Sequence, residues 1–359
     1  MASSSKPSTS NPASSNPGRF ELGTFSIAGG PPFAGLVLNQ KVIAISALKP
    51  LSQQLHVSLT GTDSILALLE NWDANFAALQ KIVDHIASSK SAAELLQLFV
   101  AVDQLQIHPP VNLPRQIFCS GANYKKHVVQ IITHTREGCP PELLNDKAGL
   151  QAWAENLMDE RIAHGVPYMF IKAPSAVTGA LDPVVLPAYT QQTDWELELA
   201  VVIGRAARNV KREDALQYVA GYTIGNDISA RDHIWRRDDM KAMGTDWVPG
   251  KNAPTFLPLG PYLVPAAFAG NVKNLQITLK LNGEIMQNES TADMIFDVAR
   301  QIEYLSGMVQ LWPGDVICTG SPAGNAVHHG NRFLRDGDVM ESSITGLGIQ
   351  RNRCIDTRS

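Results

Sequence analysis

Residues 194–203 read DWELELAVVI and place a pair of carboxylates directly before a run of apolar residues. Side chains alternate between the two faces of a β-strand, so Glu196 and Glu198 are predicted to project on the same side. The apolar run lacks polar alternation, which indicates a strand buried on both faces. Two carboxylates at the mouth of such a strand repel each other unless a cation offsets their charge. The stretch therefore predicts a metal site or, alternatively, the solvent-facing side of an antiparallel sheet.

A third acidic residue, Asp227, follows a second strand-like stretch at residues 220–224. Loops at strand ends often carry ligands, although Asp227 could equally cap a helix. Together with Glu196 and Glu198 it would supply three anionic oxygen ligands and leave about half of an octahedral shell for water and substrate. Oxygen-rich ligation of this kind favours Mg²⁺, Mn²⁺ or Ca²⁺ over zinc.

The composition excludes several classes of protein. The chain has 359 residues, of which 44% are hydrophobic and 18% charged, and its net charge is −4. There is no basic surplus for nucleic acid or an anionic membrane, and no apolar run approaches the roughly 20 residues of a transmembrane helix. The four cysteines form no CxxC pair, which predicts reduced thiols in a cytoplasmic protein.

Changes of pattern along the chain predict its organisation. Residues 1–17 are rich in Ser, Pro and Asn without the apolar segment of a signal peptide, which predicts a disordered tail. Residues 18–110 mix strand-like segments with two predicted helices, at about 64–86 and 92–105, and end at a proline pair. Residues 111–359 are mostly strand-like, and a charged segment at about 128–167 is predicted to be a mobile cover over a site. The expected fold class is α+β, a small N-terminal α/β domain followed by a β-rich catalytic domain.

Short motifs follow one another in the second part of the chain. They are GANYKKH at 121–127, FIKAP at 170–174, ELE at 196–198, NDISARD at 226–232, Lys251 and TGSP at 319–322. In order and approximate spacing they resemble the fumarylacetoacetate hydrolase family, from about residue 113 to the end and more loosely before it. The resemblance implies a mixed β-roll as the catalytic fold and a homodimer as the assembly.

The resemblance also implies roles for individual residues. The carboxylates of Glu196, Glu198 and Asp227 would hold a divalent metal, normally Mg²⁺ or Mn²⁺, which chelates the 2-oxo-carboxylate or diketone end of the substrate. Lys251 would contact substrate oxygens, and Thr319 would bind the substrate carboxylate. The other substrate-binding positions are Tyr124, Lys172 and Arg231. Without the resemblance, Lys172 and Lys251 would be interpreted as surface lysines.

The expected chemistry needs a base. Cleavage of a carbon–carbon bond between two carbonyls requires water to attack one of them, while the other carries the charge of the leaving enolate. His127 has a suitable intrinsic pKa for the base, although a lone histidine could also be a core residue. Hydrolases of the family commonly carry a glutamate three residues further on, where this chain has Gln130. An amide cannot accept the proton, so water activation at this catalytic position is in doubt.

Three functions are compatible with these residues. The first is metal-dependent hydrolysis of a carbon–carbon bond in a 2,4-dioxo acid or related 1,3-diketone. The second is decarboxylation, isomerisation or keto–enol tautomerisation of a 2-oxo acid, in aromatic or sugar-acid catabolism, which needs the enolate but no hydrolytic water. The third is a catalytically idle module that binds a metal and a dicarbonyl ligand.

Other polar residues are interpreted as solvent-facing. Glu137 and Glu142 lie in the predicted cover and could replace the missing carboxylate, but exposed charge on a flexible loop is the simpler interpretation. His328 and His329 follow a Gly-rich loop and are interpreted as exposed residues rather than metal ligands.

Overall fold

The computed structural model describes residues 18–88, 93–136 and 138–356. The predicted disordered tail, residues 1–17, lies outside the described residues, as does Glu137. Among the helices that are described, none combines the length and the apolar character needed to cross a bilayer.

The N-terminal part forms one antiparallel sheet. Its strands are β1 (Glu21–Ser26), β2 (Phe33–Leu38), β3 (Lys41–Ala44), β4 (Val100–Ala101) and β5 (Gln106–His108). They are ordered β4-β3-β2-β1-β5 across the sheet. The helices between β3 and β4 are α1 (Lys49–Gln54), α2 (Ile65–Leu69), α3 (Trp72–Ser88) and α4 (Ala93–Leu96).

The helical periodicity of this part is only partly realised. Residues 64–86 predict one helix, whereas the structure has α2 and α3 with a break between them, and Ser64 caps α2 by accepting a hydrogen bond from the backbone N–H of Ala67 at 3.0 Å. The helix predicted over residues 92–105 is wrong beyond α4. There the chain forms β4 and a 3₁₀ turn, because Val102 and Leu105 pack with strand residues such as Phe25 in a small second core.

The remainder of the chain contains curled sheets and further helices. Its strands are β6 (Ile117–Gly121), β7 (Tyr168–Ile171), β8 (Val177–Gly179), β9 (Val184–Leu186), β10 (Thr193–Asp194), β11 (Leu197–Ile203), β12 (Val219–Asn226), β13 (Ser229–Ala230), β14 (Leu257–Leu259), β15 (Val264–Pro265), β16 (Gln276–Leu281), β17 (Glu284–Ser290), β18 (Val316–Cys318), β19 (Val339–Ile344) and β20 (Gly348–Asp356). Its helices are α5 (Lys125–Thr135), α6 (Lys147–His164), α7 (Trp247–Lys251) and α8 (Val298–Met308).

Two larger sheets organise these strands. One has the order β7-β6-β18-β11-β12-β14-β8, with β15 also paired to β12, and the other has the order β17-β16-β19-β20-β9. A short pair, β10 and β13, lies beside them. The mixture of helices and curled sheets confirms the predicted α+β fold of β-roll type.

Strand β11 lies at the centre of the larger sheet and is buried along its whole length. It pairs antiparallel with β12 on one side and with β18 on the other. This burial on both faces is what the unbroken apolar run predicts. Glu196 immediately precedes β11, and Glu198 is its second residue.

One hydrophobic core joins the N-terminal sheet to the larger sheets. It extends from Phe20 to Cys354 and includes the apolar residues of β11. Leu22 and Leu263 exchange two backbone hydrogen bonds across the junction, at 3.0 and 2.8 Å. The domain boundary predicted at residue 110 falls between β5 and β6 and stays a prediction.

The predicted cover over the site contains most of α5 and all of α6. These helices pack on each other through a separate apolar cluster that includes Val128, Val129, Ala154 and Met158. Phe296, which precedes α8, belongs to the same cluster and ties the helices to the rest of the structure. The predicted mobility of this cover stays a prediction.

Candidate active site

The three predicted acidic residues converge at the start of β11. Glu196, Glu198 and Asp227 each offer one carboxylate oxygen, and these oxygens lie within 4.8 Å of one another. The residues are 8%, 1% and 1% exposed, respectively. Their burial excludes a solvent-facing sheet. Asp227 is followed by β13, so it does not cap a helix.

Backbone pairing brings the acidic residues together. Leu197 at the start of β11 lies opposite Asn226 at the end of β12, and the backbone N–H of Asp227 donates to the carbonyl of Glu196 at 2.8 Å. The side chain of Asn226 also accepts from the backbone N–H of Glu196 at 2.9 Å. Asp227 directly follows the end of β12, and Glu196 directly precedes the start of β11. The pairing of the two strands therefore brings the two residues side by side.

Glu198 is oriented by the loop after β18. The backbone N–H of Gly320 donates to Oε2 of Glu198 at 2.7 Å. Gly320 has a φ of +98°, and a Cβ at this position would lie 2.8 Å from Cβ of Asn123. Only glycine satisfies both the conformation and the close approach. This donor explains why the TGSP motif accompanies the ELE motif.

Three buried or half-buried cations surround the carboxylates. Lys172 Nζ lies 2.5 Å from Oδ1 of Asp227, and Lys251 Nζ lies 2.6 Å from Oδ2 of Asp227 and 2.7 Å from Oε2 of Glu196. Arg231 Nη2 lies 2.6 Å from Oε1 of Glu196. Both lysines are buried, so the interpretation of them as surface residues is wrong.

These ion pairs determine the charge states of the site. Burial by itself would raise the pKa of Glu196, but the positive charges of Arg231 and Lys251 outweigh it and lower the pKa to about 2. Burial would likewise lower the pKa of Lys251, yet the carboxylates of Asp227 and Glu196 raise it above its ordinary value. Lys251 is therefore a permanent cation and cannot act as a base near neutral pH.

Glu198 has the opposite environment. Burial, together with the negative charge of Asp227, raises the pKa of Glu198 well above its ordinary value. Its Oε1 is buried and, among the described residues, has no hydrogen-bond partner. A hard divalent cation prefers oxygen ligands of this type and would offset the repulsion. Glu196, Glu198 and Asp227 therefore fit a divalent metal.

His127 lies in the first turn of α5 and is 7% exposed. Its Nδ1 is buried and has no hydrogen-bond partner within the described part of the chain. Its ring centroid lies 5.5 Å from that of His328, with the planes at 70°. Burial lowers the pKa of His127 to about 3, so the imidazole is uncharged near neutral pH.

Two further predicted substrate-binding residues are also buried. Thr319 is fully buried, and its hydroxyl donates to the carbonyl of Leu199 at 2.9 Å. Its own carbonyl accepts from the side chain of Asn123 at 2.7 Å. Tyr124 is also fully buried, and burial raises its pKa well above the ordinary value. The roles of Thr319 and Tyr124 in substrate binding stay predictions.

Gln130 lies one turn after His127 on α5. Its Oε1 is buried and lacks a partner among the residues that the structure describes. The side chain lines a cavity of about 340 Å³, to which Gln151 and Glu155 of α6 also contribute. Glu142 is exposed, as the solvent-facing interpretation predicts. Glu155 is a carboxylate near Gln130 that no motif in the sequence indicates.

Asp194 is a buried residue of the site to which the sequence assigned no role. It is 1% exposed, and its Oδ2 accepts from Nε of Arg231 at 2.8 Å. Its Oδ1 accepts from the backbone N–H of Trp195 and of Ala326, at 2.8 and 2.9 Å. Asp194 therefore positions Arg231 against Glu196. Its place directly before the carboxylate pair is the only sequence signal for this role.

The interpretation of His328 as an exposed loop residue is wrong. The side chain is partly buried, and its Nε2 is inaccessible and unpartnered in the described structure. Contacts of its loop with Asp194 and Trp195, which are distant in sequence, cause this burial. Sequence reasoning had no signal for it.

Comparison with known proteins places the chain in a family. The family model "Fumarylacetoacetate (FAA) hydrolase C-terminal" matches residues 116–355. The chain therefore belongs to the fumarylacetoacetate hydrolase family, as its motifs suggest.

Individual relatives within this family catalyse different reactions. The chain is 35% identical over 271 residues to oxaloacetate tautomerase fahd2, mitochondrial, of Xenopus laevis, covering 75% of each protein. It is 43% identical over 196 residues to 2,4-didehydro-3-deoxy-L-rhamnonate hydrolase of Sphingomonas sp. (strain SKA58), covering 54% of this chain and 66% of that enzyme. Its structure is similar to that of fumarylacetoacetate hydrolase from psychrophilic Exiguobacterium antarcticum, with a TM-score of 0.68, 27% identity and coverage of 94% and 99%.

Proposed function

We propose that the protein is a divalent-metal-dependent keto–enol tautomerase of a 2-oxo dicarboxylic acid such as oxaloacetate. The observation that carries the proposal is the environment of His127. Its Nδ1 is buried, uncharged and without a partner in the described structure, and Gln130 replaces the carboxylate that would pair with it for water activation. The identity to an oxaloacetate tautomerase supports the same reaction.

Tautomerisation moves one proton from the carbon next to the 2-oxo group to the oxygen of that group. It needs a base and stabilisation of the developing enolate charge, but no attacking water. A divalent cation held by Glu196, Glu198 and Asp227 would supply Lewis-acid stabilisation of that charge. The missing His-Glu pair is then no obstacle to the reaction.

His127 is assigned the role of the base. With a pKa of about 3, it is neutral near pH 7 and its free Nδ1 can accept the proton from carbon. The negative charge of Glu196 favours the imidazolium while it exists.

The cations are assigned two roles, which are to orient the carboxylates and to attract an anionic substrate. Lys172 and Lys251 hold both oxygens of Asp227, and Lys251 is the closer of the two to Glu196. Lys251 would donate to a substrate oxygen, as the family resemblance implies. Arg231, which is 27% exposed, is the cation through which an anionic substrate would be attracted.

The test is direct measurement of proton exchange. Purified protein with Mg²⁺ is mixed with oxaloacetate in D₂O, and exchange at C3 is followed by NMR together with loss of the enol absorbance. We expect both rates to exceed those of Mg²⁺ alone and of the Glu198→Ala protein at the same Mg²⁺ concentration. Rates equal to these controls, or conversion to pyruvate and carbon dioxide faster than in these controls, would overturn the proposal.

A second candidate is hydrolysis of a carbon–carbon bond in a 2,4-dioxo acid or 1,3-diketone. Two observations favour it: Glu155 shares a cavity with Gln130, and one relative with 43% identity is a hydrolase. Acylpyruvates with product identification test it. Gln130→Glu should raise the hydrolytic rate, and Gln151→Glu in the same cavity is the matched control. An equal response of both variants would show that the missing carboxylate is not the limitation. If the protein binds metal and ligand but is inactive in every assay, the catalytically idle module is the remaining interpretation.

We also propose that the protein is a homodimer. Trp235, Met243 and Val248 are 62%, 72% and 73% exposed and follow Arg231 in one segment. Large exposed apolar side chains close together are typical of interaction surfaces. Light scattering after gel filtration should give twice the mass of 38.9 kDa for the native chain and a lower mass for Trp235→Glu. A monomeric native chain would exclude the dimer.

A cytoplasmic location is proposed from the cysteine usage. The Xenopus laevis relative is named as mitochondrial. Fractionation of cells that express the full chain distinguishes the two, and recovery with mitochondrial markers would exclude the cytoplasmic location.

A further inference from the structure

His328 lies beside His127 but has no part in the reaction described above. The backbone N–H of Gly324 donates to its Nδ1 at 3.2 Å. A backbone N–H can only donate, so Nδ1 is the acceptor. Burial lowers the pKa of His328 to about 4, which makes the ring neutral near pH 7. The single ring proton is then on Nε2, and His328 presents a donor of defined tautomer.

This donor is unused in the described structure. Nε2 of His328 is buried and without a hydrogen-bond partner, as is Nδ1 of His127. The two rings meet edge to face, with centroids 5.5 Å apart, and do not hydrogen-bond each other. Buried polar atoms are rarely left without partners, and those that are often mark functional positions. Both atoms therefore retain hydrogen-bonding capacity that no described residue uses.

The loop that carries His328 is anchored to the residues directly before β11. Nε1 of Trp195 donates to the carbonyl of Gly324 at 3.0 Å, and the side chain of Asn325 donates to the carbonyl of Trp195 at 2.8 Å. The backbone N–H of Ala326 donates to Asp194 at 2.9 Å. Since Glu196 directly follows Trp195, the position of His328 relative to the carboxylates is well defined.

The surroundings of His328 favour an anion. The side chains whose charges bear most on it are His329, Arg231 and His134, and none of them is acidic. Arg231, which is itself paired with Asp194 and Glu196, also acts electrostatically on His127. A neutral N–H donor near a fixed cation can bind a carboxylate. Because the donor is uncharged, the protein does not have to bury a second positive charge.

We propose that Nε2 of His328 donates a hydrogen bond to the second carboxylate of the substrate and makes the site selective for 2-oxo dicarboxylates over 2-oxo monocarboxylates. The inference deepens the proposed function and rests on it. His328 is thus a specificity-determining residue, whereas His127 exchanges the proton.

The experiment compares oxaloacetate with 2-oxobutyrate, which lacks the second carboxylate. Exchange at C3 and dissociation constants are measured with Mg²⁺ for the native protein, His328→Phe, His328→Gln and His329→Phe. We expect His328→Phe to weaken kcat/KM and binding of oxaloacetate by about 10- to 100-fold, the range for a hydrogen bond to a charged group. Values for 2-oxobutyrate should change less than about threefold, within the scatter of such contacts.

Two variants separate contact from structure. His328→Gln offers an amide N–H in place of Nε2 and should recover part of the preference for oxaloacetate. His329→Phe removes a contact of the same loop with the carbonyl of Met286, at 2.9 Å, and should leave the preference unchanged. The ratio of the two substrates is independent of the fraction of folded protein. If His328→Phe does not fold, His328→Leu provides the same comparison with a smaller side chain.

The outcomes distinguish this inference from the proposed function. Equal weakening of both substrates by His328→Phe, or a native protein without preference for oxaloacetate, overturns the inference. If His328→Phe still exchanges the proton and keeps the native preference for oxaloacetate, the inference is overturned, whereas the proposed tautomerase stands. Selective binding of oxaloacetate through His328 without any exchange overturns the tautomerase and supports the inference.

Discussion

The two halves of the site differ in whether their buried polar groups have partners. In the carboxylate half, Glu196 and Asp227 are ion-paired to buried lysines or to Arg231 at 2.5 to 2.7 Å. In the histidine half, His127 and His328 are uncharged near neutral pH and have buried ring nitrogens without partners in the described structure. One half is held by charge, and the other keeps hydrogen-bonding groups without partners in the described structure.

The difference has a physical basis. A buried charge without partners is far more costly than a buried neutral group, so the carboxylates require the cations that surround them. A neutral imidazole without a partner costs less and can remain so until a substrate supplies the hydrogen bond. The site therefore concentrates charge where a metal would bind and keeps neutral donors and acceptors where a substrate would lie.

The largest effect is expected in the carboxylate half. Glu198→Ala should abolish stoichiometric binding of Mg²⁺ or Mn²⁺ and reduce tautomerase activity by about ten thousandfold, because Lewis-acid stabilisation amounts to several kcal/mol. Calorimetry with Mn²⁺ and the exchange assay measure the two quantities. Glu341→Ala, which removes an exposed partner of Arg351, is the control. Retained stoichiometric metal would show that the ligands are assigned wrongly.

In the histidine half, His127→Gln should separate chemistry from metal binding. We expect kcat for proton exchange to fall about a hundredfold to a thousandfold, the usual contribution of a positioned base, with the affinity for Mn²⁺ unchanged. His134→Gln, an exposed position on the same helix, is the control. Loss of metal binding together with activity would mean that the two halves are not independent.

The buried histidine should also make the protein sensitive to acid. The pKa of His127 is about 3 in the folded protein and 6.5 ordinarily, so between these values the unfolded chain binds the additional proton. Stability is therefore lost as the pH falls through this window, by about 2 kcal/mol between pH 7 and pH 5. Urea unfolding at both pH values should show a smaller loss for His127→Gln than for the native protein. An identical pH dependence would contradict the burial of a neutral imidazole.

The smallest effect is expected for charge on the surface. Arg205 pairs with Asp73 of α3 at 2.7 Å, with side chains 44% and 59% exposed. Solvent screens such a pair, so Arg205→Ala should change the free energy of unfolding by less than about 1 kcal/mol. A double-mutant cycle with Asp73→Ala isolates the pair. A coupling energy above that limit would show that exposed and buried ion pairs differ less here than the site suggests.

Predictions from the sequence agree with the structure where they depend on neighbouring residues, and they fail where contacts between distant residues decide the outcome. The alternation of Glu196 and Glu198 and the apolar character of β11 are local properties, and ten residues were enough to predict a buried strand beside two carboxylates on one side. The helix expected over residues 92–105 failed because its apolar residues pack as strand and turn against Phe25. Helical spacing in a short segment does not exclude that outcome.

The sequence by itself determined the fold class, the strand that carries the carboxylates and, through its motifs, the family. Only the tertiary structure decided that Lys172 and Lys251 are buried partners of those carboxylates, that Asp194 positions Arg231, and that His328 faces His127. Strand alternation is a property of neighbouring residues and can be read from them. Burial and hydrogen-bond partners depend on which distant segments pack together, here the loop after β18 on the residues before β11.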